Sequence, residues 1–504
     1  MNLAPDPATW QLASGTIALV AICKDPARIG AHDGATPPEV PMPDNRAVDV
    51  ALHGVQRPGG ARRRFRRAER RLKRNLVWNR VYRATSYARS ALWIVPFVAI
   101  VLVLAIAPLL RMLDARMGWR LAGLDIAGAQ ALYQTVITLT LSFMVFTFGS
   151  LLVAIQIAGG QLTPRIIATT LLRDNVVRYS VGLFVFSLVF AVMALNRLEK
   201  NVPELVALIT AILGIVCMAA FLFLIDYAAR LLRPVSVVAR VGNEGLAVIE
   251  NVYPHPVGDT VDGEVPVPDV HPRRIVSHVG DSAIVLAVDL ETLLFEAERL
   301  DGIIELVPQV GDFLAYEEPL FALYGGAARC DDDELRATVA FGSERTIEQD
   351  PLFAFRILVD IGLKALSPAI NDPTTAVLAI DQIHRLLKAV GKRDLQREDI
   401  RDDAGTLRVL FRTPNWDDYV NVSCQEIRTC GAANVQIARR LRAMLDNVSN
   451  SLPLHRRAAL ERERNLLDRS IERHFAYPED LALARVPDTQ GLGGSSAVRI
   501  AGRI

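Results

Sequence analysis

The chain has 504 residues, 51% of them hydrophobic, which is long enough for two or three domains. Lysine and arginine (56) balance aspartate and glutamate (55), which excludes a global charge that would draw the chain to nucleic acid. The five cysteines (Cys23, Cys217, Cys330, Cys424 and Cys430) form no CxxC pair, so neither a disulfide framework nor a zinc site is expected.

Residues 1–60 are rich in Pro, Gly and Ala, with Pro37, Pro38, Pro41 and Pro43 close together, and read as a disordered N-terminal extension. The apolar stretch 10–22 is too short to span a bilayer and no basic stretch precedes it, so a signal peptide is not expected. Ile22 before Cys23 does not suit a lipoprotein site. Twelve Lys and Arg then fall between Arg62 and Arg89. Such a run sets topology and touches anionic headgroups. Two alternatives are nucleic-acid binding and a helix packed on a soluble domain through Phe65, Leu72 and Leu76.

Four stretches are charge-free, or nearly so, over bilayer-spanning lengths: residues 91–110, 126–164, 179–195 and 205–225. A helix needs roughly 20 apolar residues to cross a hydrocarbon core about 30 Å thick. The basic run before the first stretch and Arg230, Arg233 and Arg240 after the fourth predict that both ends lie on the cytoplasmic side. Arg165, Arg173 and Arg178 place the second connection there too, whereas Arg111, Arg116 and Arg120 in the first outer loop run against this orientation.

Thr135, Ser142, Gly149 and Gln156 recur every seven residues in the second stretch, with Thr138 on the same face. A polar and small stripe at membrane depth predicts helix packing, or a water-accessible path after oligomerisation. No ionisable group lies within it, which counts against a proton relay. Gly159 and Gly160 are expected to release the helix. Thr163, Pro164 and Arg165 then form a connector, with Thr163 capping a new short helix and Pro164 in its first turn. Asp226 and Arg230 suit an interfacial salt bridge.

From about residue 241 the hydropathy is that of a soluble protein. Residues 253–272 read as a Pro-rich loop, and strand character follows at 274–277, 283–288, 302–307 and 319–323. A short helix opens at Asp289, and Gly311-Asp312 reads as a turn. The run GDFLAYEEPLFAL resembles the small barrels of lipoyl- and biotin-carrier domains, but no lysine occurs between Lys200 and Lys364 to carry a cofactor. A strand at 339–343 precedes a helix at 348–366 with Leu352, Phe355, Val359 and Leu363 at helical spacing. Asp372 and Pro373 open a second helix reaching residue 390, a strand follows at 406–412, and further helices run to about residue 474. The tail, with Gly491, Gly493, Gly494 and Ser495, reads as flexible.

The stretches QLTPR, RTIEQDPLFAFRILVDIGLKALSPAINDPTTA, TPNWDDYV and DTQGLGG resemble the bacterial predicted membrane proteins grouped as domain of unknown function 2254, over roughly residues 87–494. The resemblance implies membrane location and this domain order, and supplies no activity. The fold class expected is therefore membrane α-helical, with four transmembrane helices, plus a cytoplasmic α+β domain. The expected organisation is a disordered extension (1–60), a basic segment and transmembrane domain (61–240), the α+β domain (241–484) and a flexible tail (485–504).

The densest polar set is Arg345, Glu348, Gln349, Asp350, Asn371, Asp372 and Thr375, which helix pairing is expected to gather into caps and a salt bridge, or into a ligand-binding site. No nucleophile–base pair, phosphate loop or zinc motif is present, so no catalytic residue, metal or cofactor is assigned. The functional expectation is a multi-pass inner-membrane protein in contact with lipid. It forms a homo-oligomer, binds an unidentified cytoplasmic ligand or partner, binds no nucleic acid, and acts as a conduit regulated by its soluble domain. The alternatives are a membrane-anchored scaffold or ligand-sensing module without transport, and an enzyme acting on lipid or envelope precursors.

Overall fold

A computed structural model of the chain describes residues 91, 93–117, 123–161, 174–198, 202–231, 233–258, 271–395 and 399–493. The N-terminal extension, the basic run, the Thr163–Pro164–Arg165 connector and residues 494–504 lie outside them.

Four helices are long and apolar enough to cross a membrane: α1 (Ile94–Met117), α2 (Ile126–Gln161), α3 (Asn175–Asn196) and α4 (Glu204–Leu231). α3 is the central one. Half of its apolar stretch is buried against α1, α2 and α4, and under a fifth is buried in each of the other three. Gly182 of α3 lets α1 approach, because a Cβ there would stand 2.6 Å from Val95 Cγ1. Two sequence expectations change here. α2 runs through Gly159 and Gly160 to Gln161 rather than ending at the glycines. Each glycine weakens a helix by only about 1 kcal/mol, which a long apolar helix absorbs. α3 begins four residues before Tyr179, because Asp174 caps it and Arg178 is buried within it.

Helix α5 (Pro234–Val252) starts three residues after α4 ends, with Pro234 in its first turn. It crosses the expected boundary at 240/241 without a break. Its inner face (Val237, Val238, Val241, Ile249) joins the largest apolar core, shared with α8 (Pro351–Leu366), α9 (Pro373–Val390), α10 (Trp416–Gly431), α11 (Val435–Ser451) and α12 (Leu454–His474). Gly245 is a point of close approach, where a Cβ would lie 2.8 Å from Ala354 Cβ and 3.0 Å from Leu386 Cδ1. Gly245→Leu is therefore expected to lift α5 from its seat at a cost of about 2 kcal/mol, the usual scale of overpacking. A lowered thermal midpoint of the full-length protein in detergent measures it.

The second core belongs to two small sheets. Strands β1 (Arg274–Ser277), β2 (Ala283–Val288), β3 (Gly302–Leu306), β4 (Phe313–Leu314), β5 (Pro319–Gly325), β6 (Val339–Gly342), β7 (Asp399–Arg401) and β8 (Leu407–Phe411) form a five-stranded sheet, β1-β5-β3-β8-β7, and a three-stranded one, β4-β2-β6. All pairings are antiparallel except β3–β8. The carrier-like run is thus divided, with β4 and β5 in different sheets. Helix α6 (Leu290–Leu300) is capped by Asp289, as its sequence predicts, and α7 (Asp332–Arg336) precedes β6. The four apolar helices followed by an α+β region match the expected architecture. A last helix, α13 (Pro478–Ala484), leads to the C-terminal stretch.

Candidate functional site

The best-defined polar site lies where the apolar helices meet the α+β region. Asp174 Oδ1 caps α3 by accepting from the backbone N–H groups of Val176 (2.9 Å) and Val177 (3.3 Å). Its Oδ2 accepts from Tyr227 Oη of α4 (2.6 Å) and from Arg240 Nη2 of α5 (3.0 Å). Arg240 Nη2 also donates to Tyr227 Oη at 3.3 Å. The Asp174 side chain is only 3% exposed and that of Arg240 29%, so these donors take the place of water around the carboxylate. In the sequence Arg240 reads as a topology charge. The signal that identifies the site is an acid directly ahead of an apolar run, the position of an N-cap. Asp226 and Arg230 form the expected i,i+4 pair, on the exposed surface nearby.

The polar stripe of α2 lies on its outer face: Thr135, Thr138, Ser142, Gly149 and Gln156 are all exposed. Thr135, Thr138 and Ser142 donate to the carbonyls of Ala131, Gln134 and Thr138 at 2.8–2.9 Å. These hydroxyls are satisfied within the helix, so lipid contact leaves no hydrogen bond unmade. Ser142→Leu and Gly149→Leu should therefore leave the thermal midpoint of the isolated chain unchanged.

The polar set around α8 and α9 is split. A six-residue turn joins the two helices into an antiparallel hairpin. Asp350 therefore stands at one end and Asp372 at the other, roughly 24 Å apart by helical rise over 16 residues. The expected gathering does not occur, because two consecutive helix starts fall at opposite ends of a hairpin. At the first end Asp350 caps α8 through Phe353 N (3.0 Å), and Gln349 Oε1 accepts from Val288 N of β2 (3.1 Å), which pins the entry to the sheet and delays the helix to Pro351. Arg345 is exposed; it and Asp350 both flank Gly311, whose φ is +96° and which has no room for a Cβ beside Asp350. No ion pair joins Arg345 to Asp350 among the described residues. Burial pushes the Asp350 carboxyl up to about 6 against the pull of the Phe353 N–H and Arg345. At the second end Asn371 is exposed at φ +49°, and Asp372 caps α9 through Thr375 N (3.1 Å) and Thr375 Oγ1 (2.5 Å).

The family described as "Predicted membrane protein (DUF2254)" matches residues 89–447. The chain belongs to this family. Among its relatives, an uncharacterized protein of Mycobacterium bovis (Mb1321c) and one of Mycobacterium tuberculosis H37Rv (Rv1290c) are each 26% identical over 425 residues, covering 80% of this chain and 81% of theirs. No solved structure is similar to it.

In this DUF2254 chain the stretches that carry the likeness are largely caps and packing. Besides the two Asp-Pro helix starts, Asn415 and Asp418 form a capping box for α10. Trp416 Nε1 donates to the Arg456 carbonyl (2.8 Å), and Tyr419 Oη lies 3.1 Å from Tyr253 Oη. The closing DTQGLGG stretch corrects the expected flexible tail as far as residue 493. Asp488 is fully buried and accepts from the N–H groups of Gln490, Gly491 and Gly493, while buried Arg439 holds the carbonyls of Val486 and Gly493.

Two titratable clusters were not foreseen. Arg440 Nη2 donates to His384 Nδ1 (3.1 Å), which leaves the ring proton on Nε2 to donate to Asn447 Oδ1 (2.9 Å). Burial holds His384 below the usual histidine range, so it rests neutral. Glu296, Cys330 and Glu334 bring a carboxylate oxygen, a sulfur and a second carboxylate oxygen within 4.8 Å of one another, a spacing that fits a metal ion. A cation already serves them, because Arg299 donates twice to Glu296 Oε2 and lies 3.9 Å from Glu334. Burial and the two carboxylates push the Cys330 thiol up to about 11, so it rests protonated beside them.

Proposed function

We propose that this protein is a membrane-embedded sensor, whose α+β region binds a ligand or partner and biases the apolar helices through Asp174, Tyr227 and Arg240. The observation that carries the reading is that one carboxylate ties the start of α3, the end of α4 and the middle of α5 together, while α5 is itself seated in the helical core of the α+β region. A ligand that shifts α8 or α9 moves α5, and α5 cannot move without stretching a nearly dry ion pair. The natural setting for this arrangement is the bacterial plasma membrane with the α+β region on the cytoplasmic side. The basic run at residues 62–89 and Arg230 and Arg233 support that placement.

Hydrogen exchange of the full-length protein in nanodiscs tests the coupling. Arg240→Gln should raise exchange in the first turn of α3 and in α5, α8 and α9 together. A rise confined to α5 removes the reading.

A second reading, a conduit formed by several copies, is favoured by the outward stripe of α2. It predicts ion flux in proteoliposomes that Ser142→Leu and Gly149→Leu abolish. Absence of flux, or flux indifferent to both changes, rejects it.

A further inference from the structure

The two charge extremes of this chain emerge on one side of the apolar helices. Residues 271–342, which hold β1 to β6, carry fourteen acids against five arginines and no lysine. Residues 67–89, just ahead of α1, carry eight arginines and lysines against Glu69 alone. α1 starts on the side of the α+β region. Val95 in its first turn packs on Gly182 near the start of α3, and Arg240 of α5 holds Asp174 at that start. The far end of α1 agrees, because Asp114 accepts from Leu205 N at the start of α4 (3.1 Å). Residues 67–89 therefore leave α1 toward the α+β region. Fully extended, such a stretch reaches about 75 Å, against a width of roughly 45 Å for a domain of this size.

One face of the sheet region combines acids with exposed apolar side chains. Residues 278–284 and 312–318 run side by side. The Glu317 N–H donates to the His278 carbonyl (3.0 Å), the His278 N–H donates to the Glu318 carbonyl (2.9 Å), and Ile284 pairs with Phe313. Val279, Phe313 and Tyr316 on these stretches are 57%, 63% and 59% exposed. Asp281, Asp312, Glu317 and Glu318 are exposed beside them, and neither stretch contains a lysine or arginine. Arg336 and Arg345 stand at the margins, where Arg336 donates to the Ser277 carbonyl (3.1 Å) and Arg345 flanks Gly311. Exposed apolar side chains ringed by one sign of charge mark an interaction surface for a partner of the opposite sign.

We propose that residues 67–89 of the same chain dock on this face. Arg70, Arg71, Lys73 and Arg74 meet its four carboxylates, and Leu72 and Leu76, four apart in the sequence, cover Val279, Phe313 and Tyr316. An anionic leaflet is the competing surface for such a run. The sheet face has the advantage of belonging to the same chain, which sets an effective concentration of about millimolar order. Its own charge also repels it from an anionic leaflet, and the basic segment is the countercharge that lets the two lie close. Docked, the segment ties the start of α1 to the sheet region and keeps other basic partners off the face. The inference goes beyond the sensor reading and is independent of the Asp174 junction.

The test replaces Leu76 with the photo-crosslinking residue p-benzoylphenylalanine in the full-length protein, held in nanodiscs of phosphatidylcholine and phosphatidylglycerol. Adducts are mapped by mass spectrometry after single chains are separated from crosslinked pairs. They are expected within residues 278–284 and 312–318 of the same chain. Glu317→Lys with Glu318→Lys should lower their yield about tenfold, the scale of two exposed ion pairs turned repulsive. Adding Arg70→Glu and Arg71→Glu to that variant should restore the yield, which a misfolded sheet region would not allow. Adducts chiefly on lipid, on a second chain or elsewhere on this one overturn the proposal. So does a yield on this face that ignores the charge changes, or one that the compensating pair fails to restore.

Discussion

Removing Arg240 is expected to loosen the junction between the apolar helices and the α+β region by about 3 kcal/mol, near the low end for breaking a buried ion pair. The estimate stays low because the Arg240 side chain is 29% exposed, whereas that of Asp174 is 3% exposed. Arg240→Ala leaves Asp174 with the Tyr227 hydroxyl and two backbone donors, enough to keep it hydrogen-bonded but short of a full countercharge. Asp174→Asn separates the contributions, because asparagine is as good an N-cap as aspartate and retains the start of α3 while discarding the ion pair. Asp174→Ala loses both and should cost about 1 kcal/mol more. A double-mutant cycle over Asp174→Asn and Arg240→Ala should return a coupling of about 1–3 kcal/mol. The readout is hydrogen exchange at the amides of α5, where 3 kcal/mol amounts to roughly a hundredfold loss of protection. Additive effects of the two changes would show that the ion pair holds nothing together.

The parts of this structure legible in the sequence are those set by local rules. Charge-free runs located the apolar helices, and Asp372-Pro373 marked the start of α9 to the residue. Where long-range contacts decide, local patterns mislead. Arg178 ended the charge-free run that predicts the third span, yet in the fold it is buried inside α3. Strands β4 and β7 have two and three residues, too short for any alternation, and exist only because β2 and β8 lie beside them. The glycines of DTQGLGG look like a loose end, but Asp488 gathers three of the backbone N–H groups there and Arg439, two helices earlier in the chain, fixes the carbonyls of Val486 and Gly493. The candidate site followed the same division. Each cap in the Arg345–Thr375 set is legible locally, but their separation is set by the hairpin that joins the two helices. Of the Asp174–Tyr227–Arg240 cluster only the Asp174 cap is legible in a local window, because its partners lie up to 66 positions away.

Asp350→Asn is expected to stabilise the protein above pH 6 and to make little difference near pH 4. Asp350 is 5% exposed, at the point where the loop around Gly311 meets the start of α8, and burial raises its carboxyl from an ordinary value near 3.8 to about 6 despite the Phe353 N–H and Arg345. The folded state therefore holds this proton more tightly than the unfolded chain. Between pH 4 and 6 unfolding releases it, so stability falls as pH rises through that window and levels off above it. The full difference is about 3 kcal/mol for a shift of two units, with burial as its main cause and the Asp312 carboxylate adding to it. Asparagine keeps an acceptor for the Phe353 N–H and carries no charge to bury. Thermal midpoints of parent and variant in detergent should coincide near pH 4 and separate by pH 8, with the variant higher. A constant difference across that range would mean that Asp350 ionises as freely in the fold as in water.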